Sequence, residues 1–131
     1  MGKINWIEKL NWNEEHIEDL RYTGYSYVRQ GKYDIALAFF EALNVLDPES
    51  AYDAQTLGAI YLQLNYPAKA LKCFDKALKI EADHGPTLLN LTKAFLMLGR
   101  KEEAMQLANI LKNEKNLQIA NVAKALILAN S

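Results

Sequence analysis

The side chains able to do chemistry are few and far apart. The sequence holds two histidines, His16 and His84, and a single cysteine, Cys73. A metal site needs several Cys, His or carboxylate ligands at short, fixed spacings, and no such Cys/His set occurs. No glycine-rich stretch has the spacing that cradles a phosphate. Asp83-His84 falls in an expected turn, where both residues serve local hydrogen bonding. Cys73 precedes Phe74 in an apolar helical pattern and reads as a small buried side chain. The chain therefore does not read as an enzyme: no catalytic residue, metal or cofactor is expected. Lys69, Lys72, Lys76 and Lys79 form a basic stripe at helical spacing. That face lacks aromatic side chains on which bases could stack, so it reads as a solvated outer face and nucleic acid is not an expected partner. What remains is recognition by surface, which depends on the elements that shape it.

A chain of 131 residues suits one domain with a continuous core. Half its residues are apolar and 24% are charged, the balance of an ordinary folded chain. The formal net charge of −1 gives no global field toward nucleic acid or an anionic membrane. The charge is segregated, with a net of −4 over residues 1–50 and +3 over 51–131. A lone cysteine fits a reducing compartment. Residues Met1 to Trp12 are interrupted by Lys3, Asn5, Glu8, Lys9 and Asn11, which leaves no apolar core for a secretory signal. Met1-Gly2 has Trp6 where a myristoylation signal needs Ser or Thr. No run of eighteen apolar residues suggests a membrane span. A cytoplasmic protein without membrane insertion is the expectation.

The strongest signal is a repeat of 34 residues. Set in rows of that length, Gly24, Gly58 and Thr92 share a column, as do Tyr27, Tyr61 and Phe95, and Ala36, Ala70 and Ala104. Phe40, Phe74 and Ala108 form another, followed by Leu43, Ala77 and Leu111. This period and these residue types resemble the tetratricopeptide repeat (TPR), with Leu57-Gly58-x-x-Tyr61 reproducing its start and Pro48 its end; Ala82 replaces the proline in the second row. Glycine inside a helix costs about 1 kcal/mol against alanine, so Gly24 and Gly58 need a packing reason, namely close approach of a neighbouring helix. The alanine column would do the same from the other side, and the aromatic columns would fill the space between helix pairs.

The helix signals agree with this frame. Asn13 is an expected cap for a helix to about Gln30, which Gly31 would end. A second helix runs from Tyr33 to Leu46, stopped by Asp47-Pro48. Ser50-x-x-Asp53 opens a third that ends near Leu64. Pro67 opens a fourth, Gly85-Pro86 a fifth closed by Gly99, and Lys101 to about Lys112 is a sixth. From Asn116 to Asn130, Ile119, Val122, Ala123, Leu126 and Ile127 share one helical face. That segment reads as a cap over the last repeat, with a partner-binding or dimerising helix as the alternative. The expected architecture is an all-α array of three helix-turn-helix repeats, about 17–50, 51–84 and 85–116, with a capping helix at about 117–130. These make one domain, 13–131, preceded by an arm, 1–12. The arm holds Ile4, Trp6, Ile7, Leu10 and Trp12, which would bury on the first repeat, on a second copy of the chain or on a ligand.

In such an array the first helix of each pair lines a concave surface. The side chains expected there are Glu18, Arg21, Tyr25, Val28 and Arg29 in the first pair, Tyr52, Gln55, Ala59, Leu62 and Gln63 in the second, and Leu89, Lys93, Leu96 and Met97 in the third. Aliphatic side chains on an open face mark a binding surface, and tyrosine is a common interface residue. Of Arg21, Tyr25, Thr56, Pro86 and Asn90, the columns where some TPR domains grip a terminal carboxylate, only Arg21 is suitable, so no such clamp is expected.

A closer resemblance lies in Gly24-Tyr25-x-Tyr27-x-x-Gln30-Gly31-Lys32-Tyr33-x-x-Ala36-x-x-Phe39-Phe40-x-x-Leu43-x-x-Leu46-Asp47-Pro48. Together with Leu57-Gly58-Ala59-Ile60-Tyr61-Leu62-Gln63 it resembles the bacterial type III secretion chaperones of the translocator-binding class, over roughly residues 14–112. The resemblance implies a right-handed TPR superhelix and a cytoplasmic, bacterial chaperone for a secreted protein. It implies an unfolded or extended cargo segment, from a translocator or another export component, held in the groove by Tyr25, Val28, Tyr52, Ala59 and Leu62, and a homodimer through the N-terminal region. The alternative is an adaptor or scaffold subunit that binds a folded partner, through the convex lysine stripe or the Ile119–Ile127 face.

Overall fold

The computed structural model describes residues 5–131. Among these there are eight helices and no strand: α1 (Trp6–Lys9), α2 (Glu14–Arg29), α3 (Tyr33–Leu46), α4 (Ala51–Gln63), α5 (Pro67–Ile80), α6 (Gly85–Met97), α7 (Lys101–Leu111) and α8 (Leu117–Ala129).

Side chains fix the helix starts. The Asn13 carboxamide oxygen accepts from the His16 backbone N–H at 3.1 Å, and the Asn13 N–H donates to His16 Nδ1 at 3.1 Å. This reciprocal cap satisfies two donors that a helix start leaves open and gives His16 a structural role. The Ser50 hydroxyl accepts from the Asp53 N–H at 3.1 Å. Asn116 accepts from the N–H groups of Gln118 and Ile119. Pro67 and Pro86 sit in the first turns of α5 and α6.

The stops of α2, α4 and α6 repeat one device. Gly31, Asn65 and Gly99 have φ of 71°, 66° and 76°, and all three share a column of the 34-residue frame. In each case two backbone bonds close the end, Lys32 to Tyr27 and Gly31 to Val28, then Tyr66 to Tyr61 and Asn65 to Leu62, then Arg100 to Phe95 and Gly99 to Leu96, all between 2.8 and 3.1 Å. This is the Schellman arrangement, which needs a left-handed residue and so favours Gly or Asn.

From α2 onward each helix packs on the next, and α6 also packs directly on α4 and on α8. The glycine column allows the close approach within each pair. A Cβ placed on Gly24 would lie 2.9 Å from Phe40 Cε2, and one on Gly58 would overlap the Phe74 ring, 2.8 Å from Cδ1 and 2.9 Å from Cζ. Phe40, Phe74, Ala36, Ala70 and Ala104 are all fully buried. In the third pair the large and small residues exchange: Thr92 stands in the glycine column and Ala108 in the phenylalanine column, and both are fully buried. The larger residue of the contact thereby moves to the first helix of the pair.

Helix α8 closes the array. Ile119 and Ala123 cluster with Leu111, with Leu88, Leu89 and Leu107 against them. The approach is close, since a Cβ on Gly85 would lie 2.7 Å from Ile119 Cδ1. The other face of α8 leaves Leu117 and Leu128 exposed. In the expected arm, α1 packs near α3, and Trp12 packs on the first-repeat core and tilts against His16 at 5.6 Å. Ile4 and the side chains of Trp6 and Ile7 lie outside the described residues.

Gly58→Ala tests the close approach. The gain of about 1 kcal/mol in helix propensity is outweighed by displacement of a buried ring, so thermal or urea unfolding should show a net destabilisation of about 1–3 kcal/mol.

Candidate functional site

Helix α6 contacts both α4 and α8 directly, whereas α3, α5 and α7 make no extensive contact with each other among the described residues. An inner layer in contact and an outer layer splayed apart put the concave surface on the α2, α4, α6 and α8 side. Helix α2 joins this layer largely through long side chains. The Arg21 Nε donates to Asp53 Oδ1 at 2.8 Å, and Nη2 to Asp53 Oδ2 at 2.6 Å and to Asp47 Oδ2 at 2.9 Å; Nη1 donates to Glu18. Asp53 is fully buried and holds the guanidinium in a two-pronged grip. The hydrogen bond to Asp53 is the largest influence on Arg21 and, against the opposing effect of burial, raises its pKa above an already high value. The carboxylate expected at the helix start to complete a capping arrangement with Ser50 is thus engaged by the preceding repeat instead.

The second bridge is Tyr25. Its hydroxyl lies 2.9 Å from Thr56 Oγ1. Thr56 already donates its one proton to the Tyr52 carbonyl at 2.8 Å, so Tyr25 is the donor. Burial pushes the Tyr25 phenol up to about 12. Its ring meets Phe40 edge-on at 5.0 Å and Tyr52 at 6.2 Å, and Tyr52 meets His84 at 5.7 Å. An aromatic ridge therefore runs from α3 across α2 and α4 to the start of α6. Tyr52 is 55% exposed and is the open part of that ridge. His84 Nδ1 lies 2.6 Å from the buried Thr87 hydroxyl, which anchors the ring at the turn.

The expected groove residues divide accordingly. Tyr25, Val28, Ala59, Leu62 and Leu96 are half-buried, and Tyr52, Lys93 and Met97 are exposed. Arg21 is not free to meet a ligand, because its donors serve Glu18, Asp47 and Asp53. Gln55 is 8% exposed and belongs to the interior, a correction to the open position expected of it. Leu89 packs against the Leu111–Ile119–Ala123 cluster, because α8 covers the side of α6 that an open last repeat would expose. Leu62 leans on the Ala70–Phe74–Ala94 cluster. Arg29 is exposed at the C-terminal end of α2, 5.9 Å over the Tyr22 ring. Sequence reading missed Asp53 and His84 as groove-forming residues. The available signal was Asp53, a lone charge in the apolar run of α4. At the mouth of the first repeat, Glu14, Ile17, Glu18, Arg21 and Asp47 line an open pocket of about 270 Å³.

The convex lysine stripe is largely occupied within the chain. Lys76 donates to Asn44 Oδ1 at 2.7 Å, Lys79 pairs with Asp75 at 3.0 Å, and Lys69 lies over the Tyr66 and Tyr61 rings at 5.2 and 5.8 Å. Cys73 is half-buried and its thiol is pushed up to about 11 by burial, the opposite of an activated nucleophile. No helix among the described residues is long and apolar enough to cross a membrane.

Two outcomes follow from these bridges. Arg21→Met leaves Asp53 buried without a counter-charge and should destabilise by about 3 kcal/mol in chemical unfolding; the double variant Arg21→Met/Asp53→Leu should recover much of that loss. Tyr25 holds its proton more tightly folded than unfolded, so its share of stability is intact below pH 10 and is lost as pH rises toward 12. Unfolding measured from pH 9 to 12 should fall more steeply for the native chain than for Tyr25→Phe, by about 1 kcal/mol once screening of the half-exposed ring is allowed for.

Comparison with known proteins places this geometry. The family model of the tetratricopeptide repeat matches residues 51–84. Superkiller complex protein 3 from Mus musculus is 30% identical over 77 residues, which is 59% of this chain; the chain spans 5% of the length of that relative. Among solved structures, the Yersinia enterocolitica type III secretion translocator chaperone SycD superposes with a TM-score of 0.82 at 18% identity, covering 98% of each chain. PcrH, a Pseudomonas aeruginosa protein, in complex with the chaperone binding region of PopD, superposes with a TM-score of 0.76 at 24% identity, covering 89% of this chain and 92% of that one. The chain thus carries a tetratricopeptide repeat and has the helical-repeat fold seen in these secretion chaperones.

Proposed function

We propose that this protein is a non-enzymatic, cytoplasmic chaperone that holds an extended segment of a secreted protein, a type III secretion substrate, in its concave groove. The observation that carries the reading is the aromatic ridge of Tyr25 and Tyr52, tied down from beneath by Phe40 and Thr56 and open above at Tyr52. A rigid aromatic platform beside the aliphatic side chains of Val28, Ala59, Leu62 and Leu96 suits an extended apolar segment at low entropic cost. The likeness in fold to SycD, and to PcrH as seen with the chaperone binding region of PopD, supports the same reading. On it, residues 13–131 form one binding domain with repeats at about 17–50, 51–84 and 85–116, and the arm at 1–12 is the place for a homodimer contact.

A second reading, an adaptor contacting a folded partner, is favoured by the exposed Leu117 and Leu128 on α8 and by the stretch similar to Superkiller complex protein 3.

The two are separated by pull-down from lysate of the source cell, with bound proteins identified by mass spectrometry. Tyr52→Glu alters an exposed groove residue, and Leu117→Glu/Leu128→Glu alters the outer face of α8. The chaperone reading expects one secreted or membrane-inserting protein, lost with Tyr52→Glu and kept with the α8 variant. Folded partners kept with Tyr52→Glu and lost with the α8 variant would make the chain an adaptor.

A further inference from the structure

Apart from Arg29, exposed at the C-terminal end of α2, the charges of the concave helices are sorted along the groove, independently of the aromatic ridge. Helix α4 carries one charged residue, the buried Asp53, while α6 carries only Lys93 and α8 only Lys124. Both lysines are exposed, and neither joins an ion pair among the described residues. They stand on neighbouring helices of the concave side. Tyr25 and Thr56 stand 31 residues apart and their hydroxyls touch across α2 and α4. Lys93 and Lys124 have the same separation on α6 and α8, which pack directly.

The other end has the opposite sign. Glu14, Glu18 and Asp47 rim the first-repeat pocket, with the largely buried Ile17 as its apolar lining. The one guanidinium of Arg21 already serves Glu18, Asp47 and Asp53, so four carboxylates face a single positive charge there. Between the two ends the open side chains, Tyr52 among them, are uncharged.

We propose that the groove is graded in charge and selects an extended segment with a basic residue at one end, apolar residues in the middle and an acidic residue at the other. The proposal rests on the groove being the binding site, as argued above. The basic residue enters the Glu14–Glu18–Asp47 pocket, its stem against Ile17, and the acidic residue meets Lys93 and Lys124. Neighbouring helices lie about 8–10 Å apart, so the two ends are separated by about 20–25 Å, and an extended chain covers that in about six to eight residues. Charges on an open rim act chiefly on selection and orientation of the partner, with the apolar centre supplying most of the affinity.

The test uses the full chain and three ten-residue fluorescent peptides with the same central leucines and valines. One has two lysines at one end and two glutamates at the other, one has lysines at both ends, and one has glutamates at both ends. Fluorescence anisotropy at low salt should show the mixed peptide binding about five- to tenfold more tightly than either other, a preference that shrinks as salt is added. In Lys93→Glu/Lys124→Glu, two exposed substitutions, the peptide with lysines at both ends should become the tightest. In Glu14→Gln/Glu18→Gln the advantage of the mixed peptide over the one with glutamates at both ends should fall. Equal binding of all three, still abolished by Tyr52→Glu, would overturn the charge grading and leave the groove reading standing. Binding that ignores Tyr52→Glu, or no binding of any peptide, would overturn the groove reading and the grading with it.

Discussion

The close approach of paired helices, with a backbone glycine laid over a buried phenylalanine ring, is the constraint on which the rest of this structure depends. Gly24 over Phe40 and Gly58 over Phe74 leave no room for a Cβ. Because the contact recurs every 34 residues, it fixes the same pair geometry twice in succession. The third pair reaches a similar end with Thr92 and Ala108. Every pair then buries its alanine column completely, and stacking of the units brings α6 into direct contact with α4 and α8 while the outer helices stand further apart. The concave groove is a consequence of that difference in spacing.

Close packing within pairs does not by itself fix how one pair sits on the next. Between the first two repeats Leu57 and Ile60 share a buried cluster with Phe40 and Leu43, and polar side chains add direction to that contact. Arg21 reaches Asp53 and Asp47, and Tyr25 reaches Thr56. Such contacts are directional, so they set an angle as well as a distance. They also have a cost: a fully buried Asp53 is tolerated only because the guanidinium faces both of its oxygens. At the far end the joint is apolar, with Ile119 pressed against Gly85. The groove thus has a polar, acidic mouth, an aromatic centre and a far end whose exposed charges are lysines.

The helices, their caps and the pairing of columns were legible in the sequence because they depend on local rules. Asn13, Ser50, Pro67 and Gly99 act within a few residues of themselves, and a 34-residue period requires no knowledge of distant contacts. Asn65 was legible in principle, since it stands in the column of Gly31 and Gly99. The candidate site was legible only by face. Periodicity separates the outer side of a helix from its core side, and the faces it assigned to Tyr25, Tyr52 and Leu62 are half-buried or exposed in the structure.

Periodicity cannot say what a long side chain finds once it is there. The sequence by itself determined an all-helical repeat, its helix ends and the residues that let helices meet. Only the tertiary structure decided that Arg21 is spent on Asp53, that Gln55 is interior, that Leu89 lies under α8, and that Tyr52 remains open. The physical reason is range: helix formation and capping act over three or four residues of chain, whereas these outcomes depend on side chains about 30 residues apart in sequence that meet only after the repeats have stacked.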